Sequence, residues 1–224
     1  MRVLLFGATG MVGQGVLIEC LQAADVSLVQ SVGRTALDQK HAKVRDVVHE
    51  DLLDYHAIEA QLQDFDACFF CLGVTSAGKT EAEYSHLTYD IALAAAQTLA
   101  RLNPQMTFVY VSGAGTDSTE KGRSMWARVK GRAENALLKL PFKAAYMFRP
   151  GVIQPMQGVR SKTSSYQIIY TISRPLLPLL RALMPSIILT TEVVGQAMLA
   201  VARRGAPKSI LEAADIHAVA AAAR

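Results

Sequence analysis

Three glycines, Gly7, Gly10 and Gly13, have the most specific spacing in this 224-residue chain. They lie in the run Gly7-Ala8-Thr9-Gly10-Met11-Val12-Gly13. An apolar run, Val3–Phe6, precedes them and a helical pattern opens at Met11. In the order strand, glycines, helix, such a turn cradles phosphate. Gly7 permits the tight turn, and Gly10 lets the backbone approach a pyrophosphate. Gly13 lets the helix pack against the strand. With Thr9 inside the turn, the free N–H groups of Met11 and Val12 then point at the phosphates. The expected ligand is a dinucleotide.

Further positions refine that ligand. A dinucleotide fold that takes NAD places an acid at the end of the second strand. This chain has Val32-Gly33-Arg34 there, and an Arg can pair with a 2′-phosphate. NADP is therefore expected ahead of NAD; the plainer alternative is a surface Arg. Asp51-Leu52 follows the third strand, where a carboxylate can accept from the adenine amino group or simply cap a loop. Leu72-Gly73-Val74 ends the fourth strand, where backbone would pass the adenosine ribose.

The glycine turn, Ser112 after the fifth strand, Lys130 on the next helix and Arg149-Pro150-Gly151 after the sixth strand together resemble short-chain dehydrogenase/reductases. The resemblance is to the atypical and extended branch, among NAD(P)-binding epimerase/dehydratase-like and NmrA-like proteins, and it covers nearly the whole chain. It implies that Ser112 orients a substrate and that Lys130 holds the nicotinamide ribose. It also implies that the backbone of Pro150, Gly151 and Val152 borders the nicotinamide carboxamide. The implied activity is that of an oxidoreductase or epimerase on a small carbonyl or alcohol.

In that family a Tyr four residues before the Lys is the general acid/base, on the same helix face. Here that position is Trp126, in Trp126-Ala127-Arg128-Val129-Lys130. An indole N–H donates a hydrogen bond but does not release its proton near neutral pH. Three alternatives follow. Tyr84 or Tyr89 supplies the proton; or the protein binds NADP(H) without turnover, as a redox sensor or interaction module; or the substrate needs no acid from the protein. Ser112 and Lys130 also have plain readings, as a strand-end cap and a surface lysine, and Tyr84 and Tyr89 as packing residues.

The elements that must position these residues alternate β-rich runs with helical patterns, which predicts a parallel sheet covered by helices. Strands are expected at Val3–Phe6, Ser27–Val32, Val44–Val48, Ala67–Leu72, Thr107–Val111 and Ala144–Phe148, with an edge strand at Ser209–Leu211. Helices are expected at Met11–Ala23, Tyr55–Leu62, Glu81–Leu102, Ser124–Leu138, Thr191–Arg203 and Asp215–Ala223, besides a proline-broken one at Ser164–Met184. The fold class is α/β: a Rossmann-like, doubly wound parallel sheet in one domain over 1–224. The segment from about 151 onward is expected to form a small C-terminal lobe over the carboxyl ends of the strands.

Composition narrows the function classes. With 51% hydrophobic residues the chain can bury a sizeable core. Its net charge of +4 is spread out, which suits an anionic small ligand and argues against nucleic acid. Five histidines without ligand spacing argue against a metal. Tyr110 stands where a serine nucleophile elbow at Ser112 would need glycine. Cys20, Cys68 and Cys71 lie in apolar patterns and are expected reduced, in a cytoplasmic protein. Met1–Phe6 lacks the pattern of a cleaved signal. The apolar stretch Tyr166–Leu189 carries Arg174, Arg181 and three prolines. It is expected to pack on the core rather than touch a membrane surface, with a homodimer contact as a further possibility.

Overall fold

The computed structural model describes residues 1–38, 40–156 and 188–223. Seven parallel strands form the central sheet in the order β3-β2-β1-β4-β5-β6-β9. They are β1 (Arg2–Phe6), β2 (Leu28–Gly33), β3 (Val44–Val48), β4 (Ala67–Phe70), β5 (Thr107–Val111), β6 (Ala144–Arg149) and β9 (Ile210–Glu212). The helices are α1 (Met11–Gln22), α2 (Glu81–Ser85), α3 (Ile91–Leu102), α4 (Met125–Leu137), α5 (Thr191–Arg204) and α6 (Ala213–Ala221).

Both faces of the sheet are buried at its centre, so β1 and β4 are almost continuously apolar rather than alternating with polar residues. The period of two still sorts them. Val3, Leu5, Ala67, Phe69 and Val109 pack with Val16, Leu17 and Cys20 of α1 and with Val194, Ala197 and Met198 of α5. Leu4, Phe6, Cys68, Phe70, Phe108 and Tyr110 point the other way, onto Ala92, Ala95 and Leu99 of α3 and Ala133 and Leu137 of α4. The result is the expected Rossmann-like, doubly wound architecture. β1 lies between β2 and β4, so the chain order reverses there. A crevice at the carboxyl ends of the strands opens at such a switch point.

Several element boundaries differ from expectation, each for a local reason. Strand β4 ends at Phe70, which leaves Cys71 and Leu72 beyond it. The expected helix over Tyr55–Leu62 is a 3₁₀ segment, His56–Gln61. The expected long helix Glu81–Leu102 contains a π turn at His86–Asp90 between α2 and α3. It starts with a capping box, in which Thr80 and Glu83 satisfy each other's backbone N–H groups. Inside the π turn Tyr89 lies under the Arg132 guanidinium, 4.1 Å from its carbon. Helix α5 has Thr190 as N-cap, its hydroxyl accepting from the Val193 N–H.

The edge strand expected at Ser209–Leu211 is β9, pairing parallel to β6 through Met147 and Ile210. A second small sheet was not expected: β7 (Val152–Gln154) pairs parallel with β8 (Ile188–Thr190). Part of the expected C-terminal lobe, including the Ser164–Met184 helix and nearly all of the apolar Tyr166–Leu189 stretch, lies outside the described residues. Among the described residues, no helix is long and apolar enough to cross a membrane.

Candidate dinucleotide-binding site

A cleft of about 740 Å³ opens at the carboxyl ends of β1, β2, β4 and β5. The glycine turn forms its floor. Gly7 has φ +78°, and a Cβ there would lie 2.8 Å from the backbone of Cys71 and Leu72. Only glycine accepts both the conformation and the contact. The Gly10 N–H donates to the Gly7 carbonyl at 2.9 Å and closes the turn. The Gln14 amide donates to the Thr9 carbonyl at 2.9 Å and braces it. Gly13 stands behind the turn, where a Cβ would sit 2.1 Å from the Gly7 oxygen. It acts through packing and is not on the cleft wall.

Helix α1 starts from this floor with Gly10 as N-cap, no capping side chain and no acid in its first turn. Its first N–H groups and the positive end of its dipole are left for an anion. Thr9, Gly10, Met11 and Val12 all line the cleft.

The adenosine side of the wall comes from the strand ends. Gly33, Arg34 and Thr35 follow β2, and Leu72, Gly73 and Val74 follow β4; all line the cleft, with Leu52. A Cβ at Gly33 or Gly73 would meet nothing within 4 Å, so these glycines leave open space. Arg34 is exposed and has no carboxylate within ion-pair distance among the described residues. Asp51 lies beside Leu52 but off the wall, its carboxylate accepting from the Leu53 N–H at 2.9 Å.

Ser112 and Lys130 meet at the opposite end. The Ser112 N–H donates to the Phe148 carbonyl, which fixes this residue past the end of β5. The Thr116 hydroxyl donates to the Gly113 carbonyl at 2.7 Å. Its single proton is then used, so the 2.7 Å contact between the two hydroxyls has Ser112 as donor. Lys130 Nζ donates to the Ser112 carbonyl at 3.1 Å and lies 5.8 Å from the centre of the Tyr110 ring. Burial pushes the Lys130 ammonium down to a pKa of about 8, against a smaller upward pull from Glu134. No carboxylate is within ion-pair distance of Lys130 among the described residues.

The loop between β5 and α4 sets this geometry. Asp117 accepts from the Thr119 hydroxyl and the Gly122 N–H, at 2.7 and 2.6 Å. These bonds hold its carboxyl below the usual range. Gly131 lets α4 press on that loop, since a Cβ would be 1.8 Å from the Asp117 carbonyl oxygen. From the far side Arg149 ties Glu134 of α4 to Ser118 and Glu212. The Arg149 of the Arg149-Pro150-Gly151 segment thus acts as a buried structural tie. Pro150, Gly151 and Val152 are not on the described wall, and Val152 belongs to β7.

Trp126 is half-buried on the first turn of α4, one turn before Lys130. Its indole lies against the Gly113–Thr116 segment, where a Cβ on Gly115 would be 3.5 Å from the ring. Neither Trp126 nor the candidate acids Tyr84 and Tyr89 line the cleft. Tyr84 is 2% exposed, and Tyr89 is covered by Arg132. Ser31, Thr35, Cys71 and Thr75, which no motif marks, also line it. Their only signal was position at a strand's carboxyl end.

Solved structures carry the same architecture. Bordetella bronchiseptica WbmF, crystallised with NAD+, superposes with a TM-score of 0.65 at 17% identity, over 99% of this chain and 77% of that one. Bacillus cereus UDP-glucuronic acid 4-epimerase, also solved with NAD, has a TM-score of 0.65 at 13% identity, over 95% and 78%. The chain has the Rossmann-like fold of these NAD-bound proteins. That agrees with the resemblance drawn from the glycine turn and the Ser112–Lys130 spacing.

No family model matches the chain. Among curated proteins, the Scheffersomyces stipitis protein FMP52-2, mitochondrial, is 28% identical over 66% of this chain and 65% of its own length. An Aspergillus oryzae protein, fmp52-2, mitochondrial, is 26% identical over 95% and 93%. Rat HTATIP2 is 27% identical over 67% and 62%. The chain therefore spans slightly less than two thirds of the Scheffersomyces and rat proteins. The mitochondrial names of the fungal relatives overturn the expectation of a cytoplasmic location. That expectation rested on three cysteines in apolar patterns, and burial of thiols reports on packing rather than on compartment.

Proposed function

We propose that this short-chain dehydrogenase-like chain binds NADP(H) in the cleft and acts as an oxidoreductase or epimerase on a small carbonyl or alcohol substrate. One observation carries the proposal: a single cleft wall joins the uncapped glycine turn at α1 to Ser112 and Lys130. The turn and the start of α1 would hold the pyrophosphate, and Lys130 the nicotinamide ribose. A bound nicotinamide supplies hydride chemistry. The relatives of similar fold crystallised with NAD support a nicotinamide cofactor in general. The preference for NADP rests on Arg34, an exposed cation without an acidic partner among the described residues, where an NAD site would carry an acid.

Trp126 is the only tryptophan in the chain, so its emission reports on this end of the cleft. Titration with NADPH, NADP+, NADH and NAD+ tests the binding directly. Saturable quenching, tighter for the phosphorylated pair, is expected. A second reading is favoured by Trp126 itself: with no phenol on the described wall, the chain binds NADP(H) without turnover, as a redox-responsive module. NADPH oxidation across a panel of carbonyl compounds separates the two.

A further inference from the structure

The described wall of the cleft carries three ionisable side chains: Arg34, Cys71 and Lys130. A guanidinium does not give up its proton in a protein. Burial raises the Cys71 thiol far above its ordinary range, so it holds its proton. The phenols nearby are no better placed. Tyr110 is 1% exposed and its ionisation is pushed up strongly by burial, while Tyr84 is 2% exposed. Trp126 has no proton to give.

Lys130 differs from all of these. Its side chain lines the cleft, and the Ser112 carbonyl is the only hydrogen-bond partner of its Nζ among the described residues. An ammonium has three N–H donors, so two remain. The groups around it favour easy proton exchange. The ring of Tyr110 faces it from β5, and Tyr84 is close enough to Tyr110 to oppose its ionisation. Glu134, one turn along α4, is engaged by Arg149 from β6. Ser112 and the cleft itself lie on the remaining side.

We propose that Lys130 is the proton donor and acceptor of this site, giving a proton to the carbonyl oxygen of the substrate and taking it back from the alcohol. The inference rests on the oxidoreductase reading above. In the reductive direction the carbonyl carbon gains a hydride, supplied by a dihydronicotinamide, which is thereby oxidised. The carbonyl π pair moves to oxygen, the O–H bond forms, and an Nζ–H bond of Lys130 breaks. The neutral amine regains its proton from water in the open cleft. A pKa of about 8 leaves Lys130 mostly protonated at neutral pH yet able to release the proton, as a general acid must. From the sequence, Lys130 was expected to hold the nicotinamide ribose beside a missing tyrosine.

The test has a cofactor-free arm and a turnover arm. In the ligand-free protein, NMR of 13C,15N-labelled lysine should show one Nζ titrating near pH 8, absent in Lys130→Arg. Turnover of a carbonyl panel by wild type should fall as pH rises through the same midpoint. Lys130→Arg, whose guanidinium still donates hydrogen bonds to the ribose but does not release a proton, should bind NADPH within about tenfold of wild type, read by Trp126 emission, and lose about a hundredfold or more in turnover. Tyr166→Phe/Tyr170→Phe, at phenols outside the described residues, should keep it.

An Nζ that stays protonated to pH 10 overturns the proposal. So does turnover within a few-fold of wild type in Lys130→Arg, or its loss in the double phenylalanine variant. So, too, would a wild type that binds NADPH yet is inert on a carbonyl that Trp126→Tyr reduces. A protein with no saturable dinucleotide binding fails at the earlier step, the function itself, and takes this proposal with it.

Discussion

Two cations stand on the described cleft wall, Arg34 and Lys130, in opposite surroundings. Arg34 is exposed, so a 2′-phosphate there gains a charge-assisted pair at little desolvation cost. Arg34→Ala should weaken NADPH binding by roughly 10- to 100-fold, from about 1.5–3 kcal/mol for a hydrogen bond to a charged group, and leave NADH nearly unchanged. Parallel titrations of the two cofactors check this; equal losses for both would remove the 2′-phosphate assignment. Lys130 is desolvated instead. Its folded pKa of about 8 lies below the ordinary 10.5, so the folded state binds fewer protons than the unfolded one between those values. This group's contribution to stability should therefore rise with pH across that window. Lys130→Met should abolish the rise, as denaturant unfolding at pH 7, 8, 9 and 10 would show.

Between the strands and the cleft, glycines and one ion pair set the distances. Gly13 and Gly131 lie against backbone carbonyl oxygens, at 2.1 and 1.8 Å from where a Cβ would be. Backbone cannot move aside as a side chain can. Gly13→Ala should cost about 1–3 kcal/mol or more of stability and lower dinucleotide affinity together, since α1 would be displaced from the turn. Calorimetry with a parallel titration tests that coupling. The Arg149–Glu134 pair joins β6 to α4 in a buried setting. Glu134→Gln leaves the guanidinium short of charge, and a loss of about 3–5 kcal/mol is expected. Urea unfolding reads it.

The glycine turn was legible in the sequence because its spacing, its strand and its helix coincide, and the same holds for Lys130 four residues after Trp126. The π turn at His86–Asp90 was not, because an inserted residue leaves helical periodicity almost intact. Nor was the β7–β8 pair, whose three-residue strands are too short to show a period and lie 33 residues apart between Val152–Gln154 and Ile188–Thr190. The wall residues Ser31 and Cys71 gave no signal of their own; a strand's end point depends on the neighbouring strand, which local sequence does not encode.

At the scale of the whole molecule, the switch point between β2, β1 and β4 and the two packed faces make one crevice, and function depends on what fills it. Solved structures of similar fold hold NAD, and neither they nor the names of the fungal relatives give this chain a substrate. A ligand that binds the folded state alone raises its stability by about 2.7 kcal/mol at a hundred times its Kd. The most direct test of the account is therefore NADPH titration of the full chain, followed through Trp126 emission and thermal unfolding together. The account predicts saturable quenching with a rise in Tm of several degrees. Emission and Tm unmoved by any of the four nicotinamide dinucleotides would contradict it.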